Sequence, residues 1–114
     1  MKQMKSLEYC SEHALKIIYL SRESCENYIQ AIHEAKESNW ENAQKQMQKA
    51  HASYNSANTL LKNIYDLALE ADYGNTLLLI QAETQVMETE TIGIMTEEFI
   101  ALIKTLLSDT YQKV

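Results

Sequence analysis

A chain of 114 residues with sixteen acidic and ten basic side chains carries a formal charge of −6. It has the length of one domain and lacks the basic face that nucleic acid or an anionic membrane would require. With no proline and only two glycines, almost nothing interrupts a helix, and no apolar run reaches the roughly 18 residues of a membrane-spanning helix.

The opening Met1-Lys2-Gln3-Met4-Lys5 lacks the apolar block of a secretion signal, so a cytoplasmic protein is expected. The first predicted helix covers residues 6–36. Leu7, Cys10, Ala14, Ile17 and Ile18, then Cys25, Tyr28, Ile29, Ile32 and Ala35, recur at helical spacing and make one apolar face. Ser21, Arg22, Glu23 and Ser24 form a polar patch midway. Cys10 and Cys25 would lie about 22 Å apart along this helix, too far for a disulfide, so both are expected reduced and buried.

Glu37-Ser38-Asn39 predicts the first turn, with Asn39 as N-cap of the next helix. That helix covers residues 40–69. Trp40, Ala43, Met47, Ala50, Tyr54, Ala57, Leu61, Ile64 and Ala68 alternate steps of three and four, a heptad seam whose alanines allow close approach. Residues 70–75 predict the second connection, with Tyr73-Gly74-Asn75 as its turn signal and Thr76 as the following cap.

The third helix covers residues 77–111 and shows two apolar lines. One is Leu77, Ile80, Thr84, Met87, Thr91 and Ile94; the other is Ile92, Met95, Phe99, Leu102 and Leu106. A helix apolar on two sides has two partners to satisfy, here the other helices of its own chain and a symmetry-related copy. Gly93 costs about 1 kcal/mol in a helix interior, which predicts close packing there. The expected fold is all-α, a single domain over residues 1–114 forming an antiparallel up-down-up three-helix bundle. So short a bundle leaves much surface uncovered, and assembly would help it.

The stretch Thr76-Leu77-Leu78-Leu79-Ile80-Gln81-Ala82-Glu83-Thr84-Gln85-Val86-Met87 resembles a helix of the lactose/cellobiose-specific IIA proteins of the sugar phosphotransferase system. There an apolar run close to L-L-L-V is followed by H-A-Q-D-H-L-M, and the first His takes up and passes on a phosphoryl group. Thr76 to Ile80 keep the lead-in, and Ala82 and Met87 keep two motif positions. Ala31-Ile32-His33-Glu34-Ala35-Lys36 is similar to the family's A-L-K-x-A-K. Ser38, Asn39 and Trp40 stand at its Gly-Asp-aromatic turn. The family's Gly-x-Ala-Arg-Ser run is lost, with Arg22 on its Gly, Ser24 on its Ala and Cys25 on its Arg. The resemblance implies a cytoplasmic three-helix subunit that forms a homotrimer, receives phosphate from the phosphocarrier HPr and hands it to a IIB partner.

The chemistry of that motif departs from the family. Gln81 stands at the phospho-accepting His, Thr84 at a buried Asp and Gln85 at the second His. An imidazole nitrogen is a nucleophile near neutral pH; a carboxamide nitrogen, its lone pair delocalised, is not. In the resembled proteins the Asp lies near the trimer axis, where three carboxylates collect a metal ion because like charges cannot all ionise unaided. A threonine has no such conflict and can satisfy its hydroxyl on an i−4 carbonyl, so no metal and no cofactor are expected.

His13, His33 and His51 lack a ligand-spaced partner; His13 and His33 do not share a helix face, and His33 reads as solvated. Glu88-Thr89-Glu90 and Glu97-Glu98 read as solvent-facing. The expected function is that of a IIA-like subunit without phosphoryl transfer, regulatory or adaptor in kind. Gln81, Gln85 and Glu88 are candidate partner-binding residues, and no catalytic residue is expected. The alternatives are an active phosphocarrier using another acceptor, which would leave it a transferase component, and a general helical interaction module.

Overall fold

Heptad spacing of small and apolar residues runs through all three helices of the computed structural model, which describes residues 2–71 and 77–112 along the backbone and the side chains of residues 11–66 and 77–108. The helices are α1 (Lys2–Lys36), α2 (Trp40–Ala71) and α3 (Leu77–Gln112). Two reversals leave α1 and α3 parallel, with α2 antiparallel to both. Each is about 50 Å long at 1.5 Å per residue. The expected all-α three-helix bundle is present. Glu70 and Ala71, expected in the second connection, belong to α2; the rest of that connection and Thr76 lie outside the described residues, as do the side chains of Leu7, Cys10 and Ala68.

The inner face of α1 is Ala14, Ile17, Ser21, Ser24, Tyr28, Ala31 and Ala35, all buried. The polar patch expected around Ser21 is thus half core. Arg22 is exposed and Glu23 half-buried, but Ser21 and Ser24 face inward. Ile29 points out. On α2 the expected seam holds: Ala43, Ala50, Ala57, Leu61 and Ile64 are buried, and Trp40, Met47 and Tyr54 are half-buried. The bulky part of the core gathers at one end, where Ala14, Ile17, Leu61, Ile64, Leu79 and Val86 pack together. Each large aliphatic side chain buried there contributes about 1.5–3 kcal/mol. Towards the first turn the core is made of alanines with Tyr28.

The third helix departs from expectation. Its inward line is Leu79, Ala82, Val86, Thr89, Gly93 and Thr96. Both lines expected from hydropathy point away from the other two helices, apart from the half-buried Ile92: Ile80, Met87, Ile94, Phe99, Leu102 and Leu106 are all exposed. The buried threonines become tolerable because each hydroxyl donates to its own helix, Thr89 Oγ1 to the Gln85 carbonyl and Thr96 Oγ1 to the Ile92 carbonyl, both at 2.7 Å. Gly93 marks close packing as expected: a Cβ there would lie 2.8 Å from Cζ and Oη of Tyr28.

The first turn closes α1 with a left-handed residue. Ser38 has φ 61°; its N–H donates to the Ala35 carbonyl (3.0 Å) and that of Asn39 to the Glu34 carbonyl (2.9 Å). This is the paired bonding that ends a helix in a Schellman motif, a place where glycine is preferred. Asn39 begins α2, its carbonyl accepting the Ala43 N–H at 2.9 Å. Its side-chain amide, however, turns back to donate to Glu34 Oε2 (3.0 Å) rather than acting as the expected cap.

α1 packs along both neighbours, while α2 and α3 touch one another less. Across that looser seam runs a ladder at heptad spacing on α3. The Glu83 carboxylate acts on the Tyr65 phenol and that of Glu90 on the Tyr54 phenol. Glu97 Oε1 lies 3.3 Å from His51 Nε2, and Lys104 Nζ sits 5.3 Å from the centroid of the Trp40 ring. Glu90 and Glu97 are exposed, as expected of the acidic runs, yet each is engaged by α2.

Candidate functional site

On α3, positions 81, 84 and 85 fall on one side because residues three and four apart are neighbours on a helix. On α1, Ile18 and Arg22 are related in the same way. Where these two parallel helices meet, Ile18, Arg22, Ile80, Gln81, Thr84 and Gln85 line an open cleft of about 300 Å³. Gln81 and Thr84 are exposed and Gln85 is half-buried. Thr84 Oγ1 donates to the Ile80 carbonyl at 2.9 Å, the i−4 bond expected of it. Glu88 is also exposed but one turn further on, lining a shallower depression with Thr84, Met87, Thr91 and Ile92.

The structure therefore brings Gln81, Thr84 and Gln85 together and leaves Glu88 outside. It adds Arg22, which sequence reasoning placed in a polar patch and on the Gly of a lost family run, but not beside Gln81. Nothing in the α1 sequence pairs position 22 with position 81. The pairing follows from the register between the helices, fixed nearby where Cys25 Sγ lies 3.4 Å from Thr89 Oγ1 and Thr89 Oγ1 lies 3.4 Å from the Ser21 carbonyl. Cys25 is a free thiol and half-buried rather than buried.

Chemically the cleft offers hydrogen bonding without a nucleophile. Its side-chain amides cannot attack phosphorus, and its one hydroxyl is bonded to its own helix. No histidine lines it. His33 is exposed and His13 half-buried. His51 is half-buried with its ring edge-on to Tyr28 at a centroid distance of 5.6 Å. Its partner Glu97 is sixteen residues, about 24 Å, along α3 from Gln81.

Three phenols, those of Tyr28, Tyr54 and Tyr65, hold their protons more tightly than usual. Burial, then the charge of Glu97, pushes Tyr28 up, against a smaller lowering by its hydrogen bond with Ser24. Tyr54 is raised by burial, then by the charge and hydrogen bond of Glu90. Tyr65 is pushed up to about 12 by burial, then by its hydrogen bond to Glu83 and that carboxylate's charge. Among the described residues no three His, Cys, Asp or Glu side chains are grouped to hold a metal ion, and no helix is long and apolar enough to cross a membrane.

Comparison with curated proteins and with solved structures gives no significant match. The family model described as the PTS system, Lactose/Cellobiose specific IIA subunit, matches residues 12–104. That span takes in most of all three helices and the whole cleft, and on it the chain belongs to the lactose/cellobiose-specific IIA family of the sugar phosphotransferase system.

Proposed function

We propose that this IIA-family chain has lost phosphoryl transfer and serves a sugar phosphotransferase system as a cytoplasmic regulatory or protein-interaction subunit. The reading rests on Gln81, which the motif resemblance puts at the family's phospho-accepting His, and is supported by a cleft whose lining holds no histidine. Gln81 and Gln85, with Glu88 at the edge, then form a surface on which HPr or a IIB protein docks without receiving phosphate. Incubation with phosphoenolpyruvate, the general phosphotransferase enzyme and HPr tests this. The expected result is no radiolabel on the chain at times when an active IIA protein is saturated. Label that disappears in a His13→Ala, His33→Ala or His51→Ala variant would instead establish an active carrier with a displaced acceptor.

The same reading includes a homotrimer assembled through the outward face of α3. In support, Ile80, Met87 and Ile94 are each at least half exposed. The threonines between them, Thr84 and Thr91, donate their hydroxyls to the carbonyls of Ile80 and Met87 at 2.9 and 3.2 Å. Such a face can be covered by a neighbour without stranding a donor. A trimeric mass by light scattering is the expected result; a strict monomer at tens of micromolar concentration, a range in which tight interfaces persist, would remove this part of the reading.

A further inference from the structure

We infer that the cleft between α1 and α3 is a reversible binding site for a phosphate-type oxyanion, held by Arg22, Gln81 and Gln85. This rests on the reading that Gln81 takes no phosphoryl group itself. The chain has sixteen acidic residues, yet none of the six residues lining this cleft is a carboxylate. Arg22 is the sole arginine of the sequence. It is exposed, and no ion pair engages it among the described residues, although Glu23 and Glu26 are close by in sequence.

A guanidinium presents five N–H donors in a rigid fork suited to the paired oxygens of phosphate, and each carboxamide adds two N–H donors. Donors thus enter from both helices. Thr84, its proton committed to Ile80, adds none. None of these groups can displace a leaving group from phosphorus, so an anion bound there would leave unchanged. At about 300 Å³ and open to solvent, the cleft also has room for a phosphoryl group that is still attached to its carrier.

The test uses the full chain labelled with ¹⁵N. The side-chain amide signals of Gln81 and Gln85 and the Nε signal of Arg22 are followed while inorganic phosphate is added, with sodium chloride at matched ionic strength as reference. Saturable shifts of these signals are expected with phosphate alone. Arg22→Gln should weaken binding about tenfold or more, as expected for loss of a charge-assisted contact. Lys16→Gln makes the same charge change on another face of α1 and should leave the affinity unchanged. Shifts that track chloride equally, or an affinity identical in R22Q, would overturn the proposal.

Two further titrations identify the source of the anion. Preference for phosphorylated over unphosphorylated HPr assigns it to a protein, and preference for glucose 6-phosphate assigns it to a small ester; either outcome supports the site. Inorganic phosphate cannot phosphorylate a side chain. A covalent label in the transfer assay would therefore sink the proposed function alone, and a lack of saturable shifts would sink the anion site alone.

Discussion

Ser21 and Ser24 are one turn apart on α1 and equally buried, but their hydroxyls fare differently. Ser24 Oγ donates to the Ala50 carbonyl at 2.7 Å, whereas Ser21 Oγ has no hydrogen-bond partner. Deleting a satisfied hydroxyl loses about 1 kcal/mol, while deleting an unsatisfied one relieves a desolvation penalty. Ser24→Ala should therefore lower unfolding stability by about 1 kcal/mol and Ser21→Ala should be neutral or stabilising by up to that amount. Equal losses in urea melts of the two variants would contradict the assignment. Gly93→Ala drives a methyl group into the Tyr28 ring and should cost about 1–3 kcal/mol, as overpacking does. The cost should shrink when Tyr28→Leu is added, a coupling that a double-mutant cycle reads directly.

Tyr65 gives the residue scale a pH signature. Its phenol is pushed up to about 12 in the folded chain, against a value near 10 in an unfolded one. The folded state therefore holds this proton more tightly, and its stabilising contribution is complete below about pH 10 and lost as pH rises through 12. Stability of the wild type should fall more steeply over that window than stability of Tyr65→Phe. Parallel curves from denaturant titrations of the two would show that Glu83 and burial do not act on this phenol.

At the scale of the element, the turn after α1 holds a local strain. Ser38 keeps the left-handed conformation that its Schellman bonding requires, although a Cβ disfavours it. Ser38→Gly should raise stability by about 0.5–1 kcal/mol, the sign set by relief at positive φ outweighing glycine's added chain entropy; a lower melting temperature for the variant would argue against it. The helices themselves were unequally legible. On α2 the buried residues are the apolar ones, so periodicity found the correct face. On α1 most of the face was found, but the expected line took in Ile29, which points out, and passed over Ala31, Ser21 and Ser24, the serines because their polarity hid a continuous inward line. On α3 the rule failed: apart from Leu79 and Val86, the residues packed against the other helices are small or hydroxylated, while most of the large apolar ones face away. The site divides in the same way. Gln81, Thr84 and Gln85 are legible through the resembled motif, which lies on one helix, but Arg22 arrives from a different helix, and inter-helix register is a tertiary property that leaves no mark in either local pattern.

For the molecule as a whole, the proposed trimer sets the outward face of α3 between copies. Placing charge on it, as in Met87→Glu combined with Ile94→Glu, should leave helical circular dichroism unchanged and reduce the mass seen by light scattering to that of a monomer, since both side chains are exposed in the single chain and an unpaired carboxylate is costly to bury. Persistence of the larger species would place the interface elsewhere. Loosening between α2 and α3, where contact is sparser and the links are a polar ladder, should appear as faster amide exchange in those two helices than in α1, which packs on both sides.

The inward-turned hydroxyls of Thr84, Thr91 and Thr105, each bonded to the carbonyl four residues earlier, leave that outer surface with few polar keys. Coiled coils commonly fix stoichiometry and offset with a buried asparagine or lysine, and no such residue stands between Ile80 and Ile94 at the exposed apolar positions. A surface without a lock admits strangers: a related subunit with matching bulk at the same intervals would be accepted in place of an identical one. Mixed assemblies of this chain with a different IIA chain, visible by native mass spectrometry after co-expression, are the outcome that this permissiveness predicts for the proposed trimer.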